Sequence, residues 1–228
     1  MCQAFNLKKV FLLFFSWLFF RRPFFRRLFV LGLLASFCAA SGHAYADTKR
    51  LMIFGDSLVA GYGLSAEEGF TGQLQTRLED EAMAIEVINA GVSGDTSAGG
   101  LARLNWSLAE KPDYILIVLG GNDLLRGINP ADTRQNLDQI LARLQALGVK
   151  TFLAGMLAPV NLGPEYGAEF NPIYPELAKK YDTGFYPFFL KDVALVPKLN
   201  QRDGLHPNAE GVAKIIDEMM PILRPFLS

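Results

Sequence analysis

The sequence predicts an α/β protein, a three-layer αβα sandwich around a central, mostly parallel sheet of five strands. Three observations carry that prediction. Apolar runs without alternation, Leu51–Phe54 and Tyr114–Leu119, stop abruptly at turn residues, as strands buried on both faces do. Other stretches place leucines three or four apart, the helical period. The two kinds of segment alternate, roughly every 25–35 residues, which lays helices on both faces of a parallel sheet.

The elements follow in order. Leu51–Phe54 runs into Gly55-Asp56-Ser57, and a glycine-rich loop to about Gly69 follows. Phe70–Glu81 reads as a helix, with Leu74 and Leu78 four apart. Ile85–Asn89 is a second strand that opens into Ala90-Gly91-Val92-Ser93-Gly94-Asp95. Asp95 or Thr96 can cap a helix to about Leu108. Tyr114–Leu119 is the third strand and ends in Gly120-Gly121-Asn122-Asp123. A helix is expected from about Asp132 to Leu147, stopped by Gly148. Lys150–Gly155 is the fourth strand. A long loop from Ala158 to Pro172, rich in Gly, Pro and Asn, has the length of a functional loop. Ile173–Tyr181 reads as helix, Gly184–Tyr186 as a short fifth strand, and Pro187–Ala194 as a further short segment. Asp203–Pro207 is a loop, and Glu210–Leu223 is the closing helix.

The first 46 residues read differently. They hold six basic residues and no acidic one, a 13-residue apolar run at 28–40, and the end Ala44-Tyr45-Ala46. That is a secretory signal with cleavage after Ala46, too short in its apolar part to span a bilayer comfortably. A second apolar run at 10–20 precedes Arg21-Arg22-Pro23-Phe24-Phe25. It fits a long signal, a later translation start, or a twin-arginine signal. Phe37 before Cys38 argues against lipid attachment there. Residues 47–228 are expected to form a single domain, and a periplasmic or secreted location follows.

Without the signal, 182 residues remain, with 16 basic and 23 acidic side chains and a net charge of −7. An acidic domain of that kind argues against nucleic acid as partner. Both cysteines fall in the signal, so no disulfide is expected in the domain. His206 is the domain's one histidine. Any Ser–His chemistry must run through it, and a catalytic zinc site built on two or three histidines is excluded.

Four polar clusters sit at strand ends or in the late loop: Gly55-Asp56-Ser57, Ser93-Gly94-Asp95, Gly121-Asn122-Asp123 and Asp203…His206. Strands that point the same way bring the first three to one edge of the sheet, where open α/β sheets bind ligands. Ser57 could attack an acyl carbon if His206 takes its proton, with Asp203 orienting the ring. The N–H groups of Ser57 and Gly94 and the Asn122 amide could hold the oxyanion. Each cluster alone is ordinary turn or cap chemistry, and Asp56, Asp95 and Asp123 read as backbone caps rather than metal ligands. Their order along the chain is what points to acyl transfer. No serine satisfies the G-x-S-x-G elbow, and neither G-x-x-x-x-G-K nor G-x-G-x-x-G is present.

Gly55-Asp56-Ser57-Leu58 matches the signature of the GDSL, or SGNH, hydrolases, and Gly94, Asn122 and Asp203-x-x-His206 resemble the family's other three blocks. The likeness covers residues 50–225. The stretches 89–97 and 119–127 resemble the subgroup of periplasmic thioesterase I, protease I and lysophospholipase enzymes and related arylesterases. The resemblance implies a flavodoxin-like SGNH hydrolase fold. It implies Ser57 as nucleophile, His206 as base, Asp203 as its orienter, and Ser57, Gly94 and Asn122 as oxyanion hole, without metal or cofactor. It also implies broad ester and thioester use.

The loops at 124–129 and 158–172 should flank Ser57. Leu124, Leu125, Arg126, Met156, Leu157 and Val160 are therefore the candidate substrate-binding residues, bordering a groove for an acyl chain. The expected partner is a small-molecule or lipid ester or thioester, with no nucleic acid, no stable membrane anchor after cleavage, and a monomeric domain. Competing readings are a carbohydrate O-acetylesterase and a non-catalytic periplasmic lipid-binding module.

Overall fold

The parallel sheet grows outward from its first strand. The computed structural model describes residues 48–228, so the signal reading of residues 1–46 lies outside the described residues. Strand β1 (Lys49–Gly55) pairs with β2 (Ile85–Gly91) on one side and β3 (Tyr114–Val118) on the other. Strands β4 (Lys150–Ala154) and β5 (Gly184–Tyr186) extend the β3 side. The order is β2-β1-β3-β4-β5, and all four pairings are parallel. This is the flavodoxin-like order, whose chain reverses direction of growth between β1 and β3. The sheet is thus wholly rather than mostly parallel.

Register decides where the loops emerge. Gly55 pairs with Gly91 on one side and Val118 on the other, so three strands end level. Residues 51–54 of β1 and all five of β3 are buried, because helices cover both faces. One face carries α2 (Phe70–Asp80) and α8 (Ala209–Leu227). The other carries α3 (Ser97–Ser107), α5 (Pro130–Ala146) and α7 (Ile173–Tyr181). Leu137, Ile140, Leu141 and Leu144 of α5 are all buried, as their spacing predicts.

Three short helices depart from the expected loops. Helix α1 (Ser57–Ala60) begins at the serine itself: the Asp56 carboxylate caps it by accepting from Leu58 N–H, and Gly61 closes it at φ 78°. Helix α4 (Gly121–Leu125) takes up Asn122, Leu124 and Leu125, where the sequence predicts a loop. Helix α6 (Pro164–Phe170) and a 3-10 turn at Val160–Leu162 interrupt the long loop 158–172. Pro164 presets the first helical φ, and buried Phe170 stacks against Tyr166 and meets Tyr174. None of these is long enough to show periodicity.

Helix ends moved for similar reasons. Asn129 caps α5 through Ala131 N–H, so Pro130 opens it two residues before Asp132. Helix α8 contains Pro221 and continues past Leu223 through Pro225. Leu223 and Leu227 are buried there, and the Phe226 ring meets Phe152 and Tyr114 edge-on. That packing outweighs the backbone bonds the two prolines forgo. Among the described residues no helix is long and apolar enough to cross a membrane.

Helix α1 lies directly on the end of β2. A Cβ on Gly91 would stand 2.2 Å from Ala60 N and 2.7 Å from the Val59 carbonyl carbon. Gly91 therefore serves close approach rather than a turn. Gly91→Ala should displace α1 and destabilise the domain by about 1–3 kcal/mol. Thermal melting checks this, and an unchanged melt would mean that α1 does not rest on β2.

Candidate active site

The level strand ends set the site. Ser57 follows β1 by two residues, Gly94 follows β2 by three, and Asn122 follows β3 by four. Asn122 is held from two sides. Its Nδ2 donates to Asp56 Oδ2 at 3.2 Å. Its neighbour Asp123, fully buried, accepts from Ser97 N–H (2.8 Å), Ser97 Oγ (2.5 Å) and Thr133 Oγ1 (3.0 Å). Those bonds fasten α4 to the starts of α3 and α5.

His206 arrives from a distant segment. Asn200 and Pro207 form an antiparallel bridge, and Gln201 N–H donates to the His206 carbonyl at 2.8 Å. The Gln201 amide donates to the carbonyls of Pro207 (3.0 Å) and Tyr62 (2.7 Å). This loop is thereby clamped to the turn after α1. His206 Nε2 stands 2.9 Å from Ser57 Oγ, and His206 Nδ1 stands 2.7 Å from Asp203 Oδ2.

Electrostatics fixes the tautomer. Asp203 Oδ1 accepts from the backbone N–H of His206 (3.0 Å) and Leu205 (2.9 Å). Those two bonds, with the imidazole, pull its carboxyl down to about 2. A carboxylate only accepts, so Nδ1 carries the hydrogen and Nε2 is left to accept from Ser57.

Gly94 adopts φ 82°, a region that favours glycine, and its carbonyl is held by Arg126 Nη2 at 2.7 Å. The backbone N–H groups of Ser57 and Gly94 meet no acceptor among the described residues, which leaves them available to a ligand.

This arrangement has known relatives. Residues 53–214 match the GDSL-like Lipase/Acylhydrolase family. The chain belongs to that family. It is 43% identical to Esterase TesA of Pseudomonas aeruginosa, over 80% of this chain and 91% of that one. It is 42% identical to Thioesterase 1/protease 1/lysophospholipase L1 of Escherichia coli K12, over 81% of this chain and 87% of that one. Among solved structures it resembles AlinE4, an SGNH-hydrolase family esterase, at 45% identity and a TM-score of 0.67, covering 80% of this chain and 98% of that one.

In this GDSL-family chain the proposed substrate residues divide. Leu125, Arg126, Leu157 and Val160 are exposed, and Val160 reaches 97%. Leu124 and Met156 are buried and join the core beneath the loops. Sequence reasoning missed Tyr62, whose ring lies 4.6 Å from the imidazole with half its surface exposed. Nothing in its local pattern marks it, since the contact spans the clamp described above. Arg103 was also missed. It bonds Asp95 Oδ2 (2.6 Å) and the Gly55 carbonyl (2.9 Å) and lies over the Phe54 ring. It ties α3 to the strand end before Ser57, and its place on an otherwise ordinary helix gave no signal.

Asp56 is 1% exposed, and burial pushes its carboxyl up to about 6. Leu58 N–H, Asn122 and His206 oppose that rise, while Asp95 adds to it. Between the ordinary value of 3.8 and about 6, the folded state keeps a proton that the unfolded chain has lost. Stability from this group is therefore greatest below 3.8 and falls as pH rises through that window. Relative to Asp56→Asn, the parent should lose roughly 3 kcal/mol at most across it. Urea denaturation of both proteins from pH 4 to pH 8 checks the slope, and a constant difference would contradict it.

Proposed function

We propose that this chain is a serine esterase that hydrolyses carboxylic esters and thioesters through an acyl-enzyme on Ser57. The observation that carries the reading is the unbroken relay from Asp203 Oδ2 to His206 Nδ1 and from His206 Nε2 to Ser57 Oγ, at 2.7 and 2.9 Å. Both are within hydrogen-bond reach for general-base activation of a serine.

The chemistry follows from those distances. Ser57 Oγ bonds to the acyl carbon while its proton passes to His206 Nε2. The carbonyl electron pair moves onto oxygen, where the N–H groups of Ser57 and Gly94 and the Asn122 amide receive it. Asp203 steadies the imidazolium that forms. The intermediate collapses, the bond to the alcohol or thiol breaks, and His206 returns the proton to that leaving group. Water then repeats the sequence on the acyl-enzyme and releases the acid.

The exposed side chains of Leu125, Leu157 and Val160, with Tyr62, support an apolar border for the acyl group. The relatives' names support the breadth: esterase in one case, thioesterase and lysophospholipase in the other. A small-molecule or lipid ester or thioester is the substrate class this reading names.

Purified residues 47–228 should cleave p-nitrophenyl acetate, p-nitrophenyl decanoate, an acyl-CoA and a lysophospholipid, with turnover changing steeply with chain length. Ser57→Ala should lose at least about 10³-fold in kcat. Equal rates in parent and variant would dispose of the esterase reading. Activity confined to an acetylated sugar would replace it with a carbohydrate O-acetylesterase.

The basic amino end, apolar run and Ala44-Tyr45-Ala46 further support export to the periplasm or medium as a single domain. Mass spectrometry of the exported protein should find Asp47 as first residue, and an intact amino terminus on the exported form would contradict it.

A further inference from the structure

We propose that Asp56 is a positioning residue whose carboxylate sets the Asn122 amide so that Nδ2, not Oδ1, serves the oxyanion site. The inference rests on the ester-hydrolysis reading above.

The two ends of a carboxamide have nearly the same shape, so what they face decides which way round they lie. A carboxylate has only acceptors to offer. Asp56 Oδ2 at 3.2 Å therefore admits Nδ2 of Asn122 and repels Oδ1. One Nδ2 hydrogen is taken by Asp56, and the second stays free for a developing oxyanion.

The carboxylate cannot turn away from this task. Its other oxygen is fixed by Leu58 N–H at 3.0 Å, within the first turn of the helix that carries Ser57. The backbone of α4 crosses close by, and a Cβ on Gly121 would stand 3.3 Å from Asp56 Oδ2. Nucleophile and amide donor are thus referenced to one buried side chain. Helix capping alone does not require this burial: Thr96 and Asn208 cap α3 and α8 from less buried positions.

A carboxamide at position 56 reverses the logic. It can keep its oxygen on Leu58 N–H, and its nitrogen then faces Asn122. The Asn122 amide turns over to accept, and its Oδ1 presents a lone pair where the oxyanion forms. The fold is left intact, and the buried charge is removed.

The test is a double-mutant cycle on a p-nitrophenyl ester with parent, Asp56→Asn, Asn122→Ala and the double variant. Turnover by the parent and its loss in Ser57→Ala first establish the esterase reading independently. Asn122→Ala should lower kcat about 10²–10³-fold, and Asp56→Asn should lower it by a similar factor with KM little changed. In the Asn122→Ala background the Asp56→Asn change should cost no more than about 2-fold. At pH 8 the melting temperature of Asp56→Asn should be no lower than the parent's, which separates positioning from support of the fold. Losses that multiply in the double variant, or a single Asp56→Asn within about 2-fold of parent, would overturn the proposal. If Asp56→Asn does not fold, the parent carries the test by NMR. One Asn122 Nδ2 proton should exchange slowly with solvent, and fast exchange of both overturns the assignment.

Discussion

The level ending of β1, β2 and β3 is the constraint on which the site depends. A parallel ladder fixes register along its whole length, and the close packing of buried β1 side chains against helices on both faces resists a slip. With Gly55 opposite Gly91 and Val118, the next few residues of three separate loops must emerge together. Ser57, Gly94 and Asn122 occupy those residues. The change in growth direction between β1 and β3 falls at this same edge, where open α/β sheets bind ligands.

The Asp203–His206 side of the site is built on a different principle. Asp203 and His206 lie on no strand, and their loop is placed by hydrogen bonds rather than by sheet register. Gln201 does most of this, reaching the carbonyls of both Tyr62 and Pro207. Asn200 anchors the same loop from behind through the carbonyls of Val193 (2.7 Å) and Val196 (2.9 Å). A rigid sheet edge thus supplies Ser57, Gly94 and Asn122. A clamped loop brings His206 to Ser57.

Polar groups beneath the site are buried but satisfied. Asp123 takes hydrogen bonds from Ser97 and Thr133, and Asn136 in turn donates to Ser97 Oγ at 3.0 Å. A fully connected network of this kind rigidifies, whereas an unpaired member would cost about 1–3 kcal/mol. Asp56 is different, because its burial raises its proton affinity and costs stability at neutral pH. Sites commonly hold such groups where chemistry needs them.

The sequence by itself determined the α/β class, the five strands, the family, and the residue types needed for acyl transfer. They rest on local signals: unbroken apolar runs, helical spacing, and short motifs such as Gly55-Asp56-Ser57. Its single domain histidine further limited any Ser–His reading to His206. Helices α1, α4 and α6 were not legible, because elements of four to seven residues show no period and are held by caps and packing. The contacts of Asp56 with Asn122, Arg126 with Gly94, and Tyr62 with His206 were not legible either. They join segments 66, 32 and 144 positions apart, as their residue numbers show. A sequence carries the chemistry of each side chain, but which donor faces which acceptor is fixed only when strand register and helix packing bring distant segments within about 3 Å.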